Sequence, residues 1–135
     1  MDTGTQATPY SPRAHQLILW SLVAGVLLFH IVAAVMPRAG GEPGVHWGAM
    51  PRPLLYAGIG LLFASALVRA LLVGKAREGP GTQRQLYGLI VCSVAEGAAL
   101  FAGVMFFVHG DPTLSAIAVP WLILTVWSVA SRQSS

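Results

Sequence analysis

Four predominantly apolar stretches, at residues 16–36, 53–73, 86–108 and 112–130, leave little of this 135-residue chain outside them. Each is close to the roughly 20 residues that a helix rising about 1.5 Å per residue needs to cross a hydrocarbon core about 30 Å thick. Lipid offers no hydrogen bonds, so a spanning segment must satisfy its own backbone N–H and C=O groups, and α-helix does this. The expected architecture is therefore an all-α, polytopic membrane protein, a single four-helix transmembrane bundle over residues 15–131. Composition agrees: 55% of residues are hydrophobic and 10% charged, where soluble domains carry about 25% charged residues.

The few charges report topology. Arg13, Arg69, Lys75, Arg77, Arg84 and Arg132 belong to the amino end, the second connection and the carboxyl end, while Arg38 and Arg52 lie in the first connection. The positive-inside bias then places both termini and the connection 74–83 in the cytoplasm. A net charge of +3 scattered over helix ends makes no basic patch, so no nucleic-acid partner is expected. Residues 1–14 are polar and are expected to be a mobile cytoplasmic tail, with 132–135 as a second short tail. The first apolar run exceeds the 7 to 15 residues of a signal-peptide core, so an uncleaved signal-anchor is expected.

Connections are punctuated by Gly and Pro. The segment 37–53 is the longest on the other side, with Trp47 expected at headgroup level. Gly79-Pro80-Gly81 is expected to interrupt a charged hairpin loop at 74–83. The third connection is only His109-Gly110-Asp111, where Asp111 can cap the fourth helix and Pro112 can open it. Pro120 is expected to kink that helix. Ser21 to Phe29 can also be laid on Ser93 to Phe101, with Ser, Gly, Leu and Phe coinciding, as two duplicated hairpins of one orientation would give.

Chemistry concentrates on Glu96, an acid about 15 to 18 Å from either end of the third apolar run. A carboxylate at that depth is resisted by roughly 2.5 to 3.5 kcal/mol and commonly marks a proton, ion or ligand site. At 100° per residue, Cys92, Glu96, Ala99 and Gly103 share a stripe, with Ala95 at its edge, and such small residues let another helix approach closely. Glu96 is expected to face protein and to carry its proton in so dry a setting. It then acts as a reversible proton carrier or as a structural hydrogen-bond donor. Its candidate partners are His30, Arg69 and Ser93. His30 needs an adjacent and shifted helix, and Arg69 can instead snorkel to the interface.

The remaining residues point away from catalysis. His30 has no second intramembrane histidine for a bis-His haem, and His46, His109 and Asp111 lack a ligand spacing, so neither cofactor nor metal is expected. Cys92 reads as a packing residue. Ser21, Ser65, Ser93, Thr125 and Ser128 are single hydroxyls able to bond the preceding turn. No nucleophile, base and orienting group cluster together, and an enzyme is not expected.

Gly58-Ile-Gly60, the polar stretch Gln83-Arg84-Gln85 and Glu96-Gly-Ala-Ala-Leu-Phe-Ala-Gly-Val104 make the hairpin of the second and third helices similar to the proteolipid subunit c of rotary ATP synthases. That resemblance implies Glu96 as proton carrier, with Gly58, Gly60 and Ala64 lining the close helix contact. The whole chain resembles small uncharacterised four-helix membrane proteins of bacteria with an acidic third helix. The expected function is that of a non-enzymatic component of a bacterial inner membrane, packing with itself or with a larger membrane complex. The alternative is a proton- or cation-binding, proteolipid-like translocation subunit.

Overall fold

The computed structural model describes residues 11–36, 45–77 and 81–133. Most of the expected amino-terminal tail, residues 37–44, the Gly79-Pro80 break and residues 134–135 lie outside the described residues. Four α-helices follow one another: α1 (Pro12–Val35), α2 (Arg52–Arg77), α3 (Gly81–His109) and α4 (Thr113–Gln133). Each holds an apolar stretch long enough to cross a membrane, and no strand occurs among the described residues.

The helices outrun their apolar stretches, and local chemistry explains where they stop. Ser11 caps α1 by accepting the Ala14 N–H at 3.1 Å, with Pro12 in the first turn, so the helix begins four residues before the apolar run. It ends at Met36, whose extended backbone precedes Pro37. Residues 74–77 and 81–83, expected as loop, are helical instead. Lys75, Ala76, Arg77 and Gln83 are good helix formers and prolong α2 and α3 past the lipid. Gly110 terminates α3 with a left-handed φ of 71° and donates to Phe106 O at 2.8 Å.

Depth is matched across the bundle by specific contacts. Gln16 donates to Ala130 O and His30 bonds Ser115, so α1 runs antiparallel to α4. Gly58 abuts Leu114 and Ser65 meets Trp121, so α2 runs parallel to α4. One side of the bundle therefore carries the start of α1, the end of α4 and the adjoining ends of α2 and α3, here termed the terminal side. The end of α1, the start of α2 and the α3–α4 connection share the opposite side.

α3 and α4 form the centre. Half of the apolar window of each is buried within the protein, against 22% for α1 and 11% for α2. α1 and α2 each pack on both central helices and, among the described residues, make no contact with one another. The buried stripe of α3 is small, with Cys92, Ala95, Ala99 and Ala102, whereas that of α4 carries Leu114, Ala118, Leu122 and Val126 at every fourth residue. These residues belong to one buried core, and small side chains on α3 let another helix approach closely. The bulky residues of the flanks, such as Leu28, Ile31, Phe63, Leu67 and Leu71, point outward, as they do where lipid is the solvent. Duplicated hairpins would pack alike, yet α3 and α4 are in contact and α1 and α2 are not.

Gly103 is a close-approach point. A Cβ there would lie 2.8 Å from Phe29 Cδ1 and 2.9 Å from His30 Cε1, whereas one at Gly25 or Gly97 would meet nothing within 4 Å. Gly103→Ala is expected to destabilise the bundle by about 1 to 3 kcal/mol through overpacking. Gly97→Ala should be neutral or slightly stabilising, since it only adds helix propensity. Thermal unfolding of both variants in one detergent checks the contrast, which equal melting temperatures would contradict.

Candidate functional site

Polar side chains within the membrane-length helices are few, and each is handled differently. His30 is tied down completely: Nδ1 lies 2.8 Å from Val26 O and Nε2 lies 2.9 Å from Ser115 Oγ. A carbonyl can only accept, so Nδ1 carries a proton, and in the neutral ring Nε2 accepts from the serine hydroxyl. The imidazole stacks on Phe106 at 6.4 Å and meets the edge of Phe29 at 6.3 Å.

Arg69 lies between α2 and α4. Its guanidinium carbon is 5.5 Å from the centre of the Trp121 ring, and one terminal nitrogen donates to Ser128 Oγ at 3.2 Å. Trp121 Nε1 in turn donates to the buried Ser65 Oγ at 2.8 Å. Arg69 Nε is buried with no acceptor. Rather than extending to the end of its helix, this side chain turns inward onto α4.

Glu96 has none of this support. It is half-buried, and no hydrogen bond or ion pair joins it to any described residue. Helical spacing puts it within 20° of Gly103, whose surface meets α1, and within 40° to 60° of exposed Leu100 and Ser93. The carboxyl therefore sits on the rim where the α1–α3 seam opens. The same spacing puts Gly25 of α1 on this seam, near Phe29. Because Gly103 is level with His30, and Glu96 precedes it by seven residues, His30 and Glu96 are separated by roughly 10 Å along the bundle axis.

The small residues divide in the same way. Cys92, Ala95, Ala99 and Gly103 are buried, while Gly60 and Ala64 are exposed. Gly58 is buried, with Leu114 of α4 as its nearest neighbour. Ser93 is exposed. Ser21 and Ser128 bond the carbonyls of Ile18 and Thr125 in their own helices. No group of three metal-ligating side chains occurs among the described residues.

Outside the spans, Asp111 organises the connections. Its Oδ1 accepts from the Thr113 N–H at 3.0 Å and from the Thr113 hydroxyl, and its Oδ2 accepts from the Met50 N–H at 3.0 Å. His46 N–H donates to Gly110 O at 2.7 Å, which pins the first connection to the third. Sequence anticipated the cap but not the clasp to Met50. Nor did it reveal Ser115, and it read Ser65 as bonding its own preceding turn, where the structure has Ser65 accepting from Trp121.

No family model matches the chain, and neither a curated protein nor a solved structure matches it.

Burial alone would raise the Asp111 pKa, but bonds from the Thr113 hydroxyl and from the Met50, Thr113 and Gly48 backbones outweigh it and hold the carboxyl below its ordinary value. A lowered folded-state pKa contributes stability above the unfolded value and loses it as pH falls through the folded value. Acidification from pH 6 through the carboxylate range is thus expected to lower the melting temperature of the parent protein more than that of Asp111→Asn. Asp111→Ala should cost about 2 to 4 kcal/mol at neutral pH by removing the cap and leaving buried donors unmatched. Parallel pH profiles of parent and Asp111→Asn would contradict the assignment.

Proposed function

We propose that this protein is a small non-enzymatic component of a bacterial inner membrane, with both termini in the cytoplasm, that works by associating through its own helices. The observation that supports this reading is the unpartnered, half-buried Glu96 on the α1–α3 rim. A carboxyl left against hydrocarbon is unfavourable by a few kcal/mol, and a hydrogen bond from a neighbouring molecule relieves it. The seam beside it suits such a neighbour. Gly25 has no side chain and open space around it, so an incoming helix can bring its backbone close. The positive-inside distribution of Arg and Lys supports the orientation.

Energy transfer between labelled copies in bilayers tests the proposal. Glu96→Leu is expected to weaken association by about 1 kcal/mol, roughly fivefold, while Glu96→Gln retains most of it, because the amide still donates. Association indifferent to both substitutions would overturn the reading. A proton flux in liposomes that Glu96→Gln abolishes while association persists would replace it with the carrier reading that the proteolipid-like motif implies.

A further inference from the structure

A groove of about 380 Å³ runs along the outside of the bundle between α2 and α4, lined by Ile59, Leu62, Phe63 and Ala66 on one side and by Ile117 and Trp121 on the other. The α2 residues recur every three or four positions, so they form one stripe, and Arg69 is the next step along it after Ala66. Trp121 belongs to both features, forming groove wall and also lying beneath the Arg69 guanidinium. An apolar channel thus ends at a cation.

We propose that this groove holds one acyl chain of an anionic phospholipid from the terminal-side leaflet, with the lipid phosphate at Arg69. Charge argues for the headgroup. No acidic side chain among the described residues pairs with Arg69. By sequence, Arg13, Lys75, Arg77, Arg84 and Arg132 fall at helix ends on the same side, and a surplus of Arg and Lys near a membrane surface recruits anionic lipid. Dimensions argue for the chain. From Arg69 to Ile59 is ten residues, or about 15 Å of helix, which is half the thickness of a hydrocarbon core. The middle of the apolar stretch 53–73 is Phe63, so a chain whose headgroup sits at Arg69 lies along Ala66, Phe63 and Leu62 as it nears the bilayer midplane, with Ile59 about 6 Å beyond it.

The side-chain position fits as well, since Arg69 spans between Trp121 and, seven residues nearer the terminal side, Ser128 of α4. Its stacking on Trp121 and bond to Ser128 hold the guanidinium beside the groove mouth. A phosphate there gains charge-assisted bonds from a fork already fixed in place.

Trp121 supplies the readout. A variant retaining only this tryptophan, with Trp20, Trp47 and Trp127 changed to Phe, is placed in phosphatidylcholine vesicles. Phosphatidylglycerol or phosphatidylcholine with brominated chains, which quench tryptophan on contact, is then titrated in. Brominated phosphatidylglycerol is expected to reach half-quenching at about fivefold lower mole fraction than brominated phosphatidylcholine at low salt. Arg69→Gln should abolish that preference, Arg69→Lys should retain part of it, and Ala66→Phe should protect Trp121 from both lipids. Equal half-quenching by the two lipids in the protein with Arg69 intact overturns the proposal, and this comparison stands even if the Arg69 variants fail to fold. Trp121 shielded from both lipids in that same protein overturns it too, since a second copy then covers the groove.

Discussion

Close approach between α3 and α4 is the constraint on which the rest of the bundle depends. Hydrocarbon gives helices no hydrophobic reason to leave lipid for one another, so their association rests on packing density and on polar bonds. Cys92, Ala95, Ala99 and Ala102 give α3 a shallow face, which shares one buried core with Leu114, Leu122 and Val126 of α4. Both flanking helices then dock onto that pair. A soluble bundle would reverse the arrangement, with bulky residues inside and polar ones outside.

α4 also supplies the hydroxyls and carbonyl that fix depth. Ser115 receives His30 from α1, Ser128 receives Arg69 from α2, and Ala130 O receives Gln16 near the chain start. These bonds lie near the two ends of the helix, so sliding α4 by one turn would break all of them together. Apolar packing alone specifies register weakly in lipid, and sparse hydrogen bonds supply what is missing. Glu96 of α3 lies outside this scheme, with no hydrogen bond to any described residue.

Much of this was legible in the sequence because membrane length and backbone satisfaction leave few choices. Four spans, the Asp111 cap and the stop after Met36 follow from local chemistry. The packing order did not. Nothing in the apolar stretches of α1 and α2 says that they avoid one another, since both carry the same alphabet as α3. The stripe of small residues did mark α3 as a close-contact helix, yet Gly58 and Gly60 look alike in sequence and part company in space, one against Leu114 and the other open. Arg69 was readable as a snorkelling residue because its helix end is near. Its inward turn depends on Trp121, 52 positions further on, which no local pattern connects to it.

The separation of α1 from α2 bears on how the chain assembles as it is made. When only the first two helices have entered the bilayer, each is a lone span in lipid, because the surfaces they will share belong to helices still to come. Arrival of α3 offers a dock to both, and α4 then closes the centre and sets their depths through Ser115 and Ser128. The amino-terminal half is thus laid down as parts, and the carboxyl-terminal half is the template that joins them.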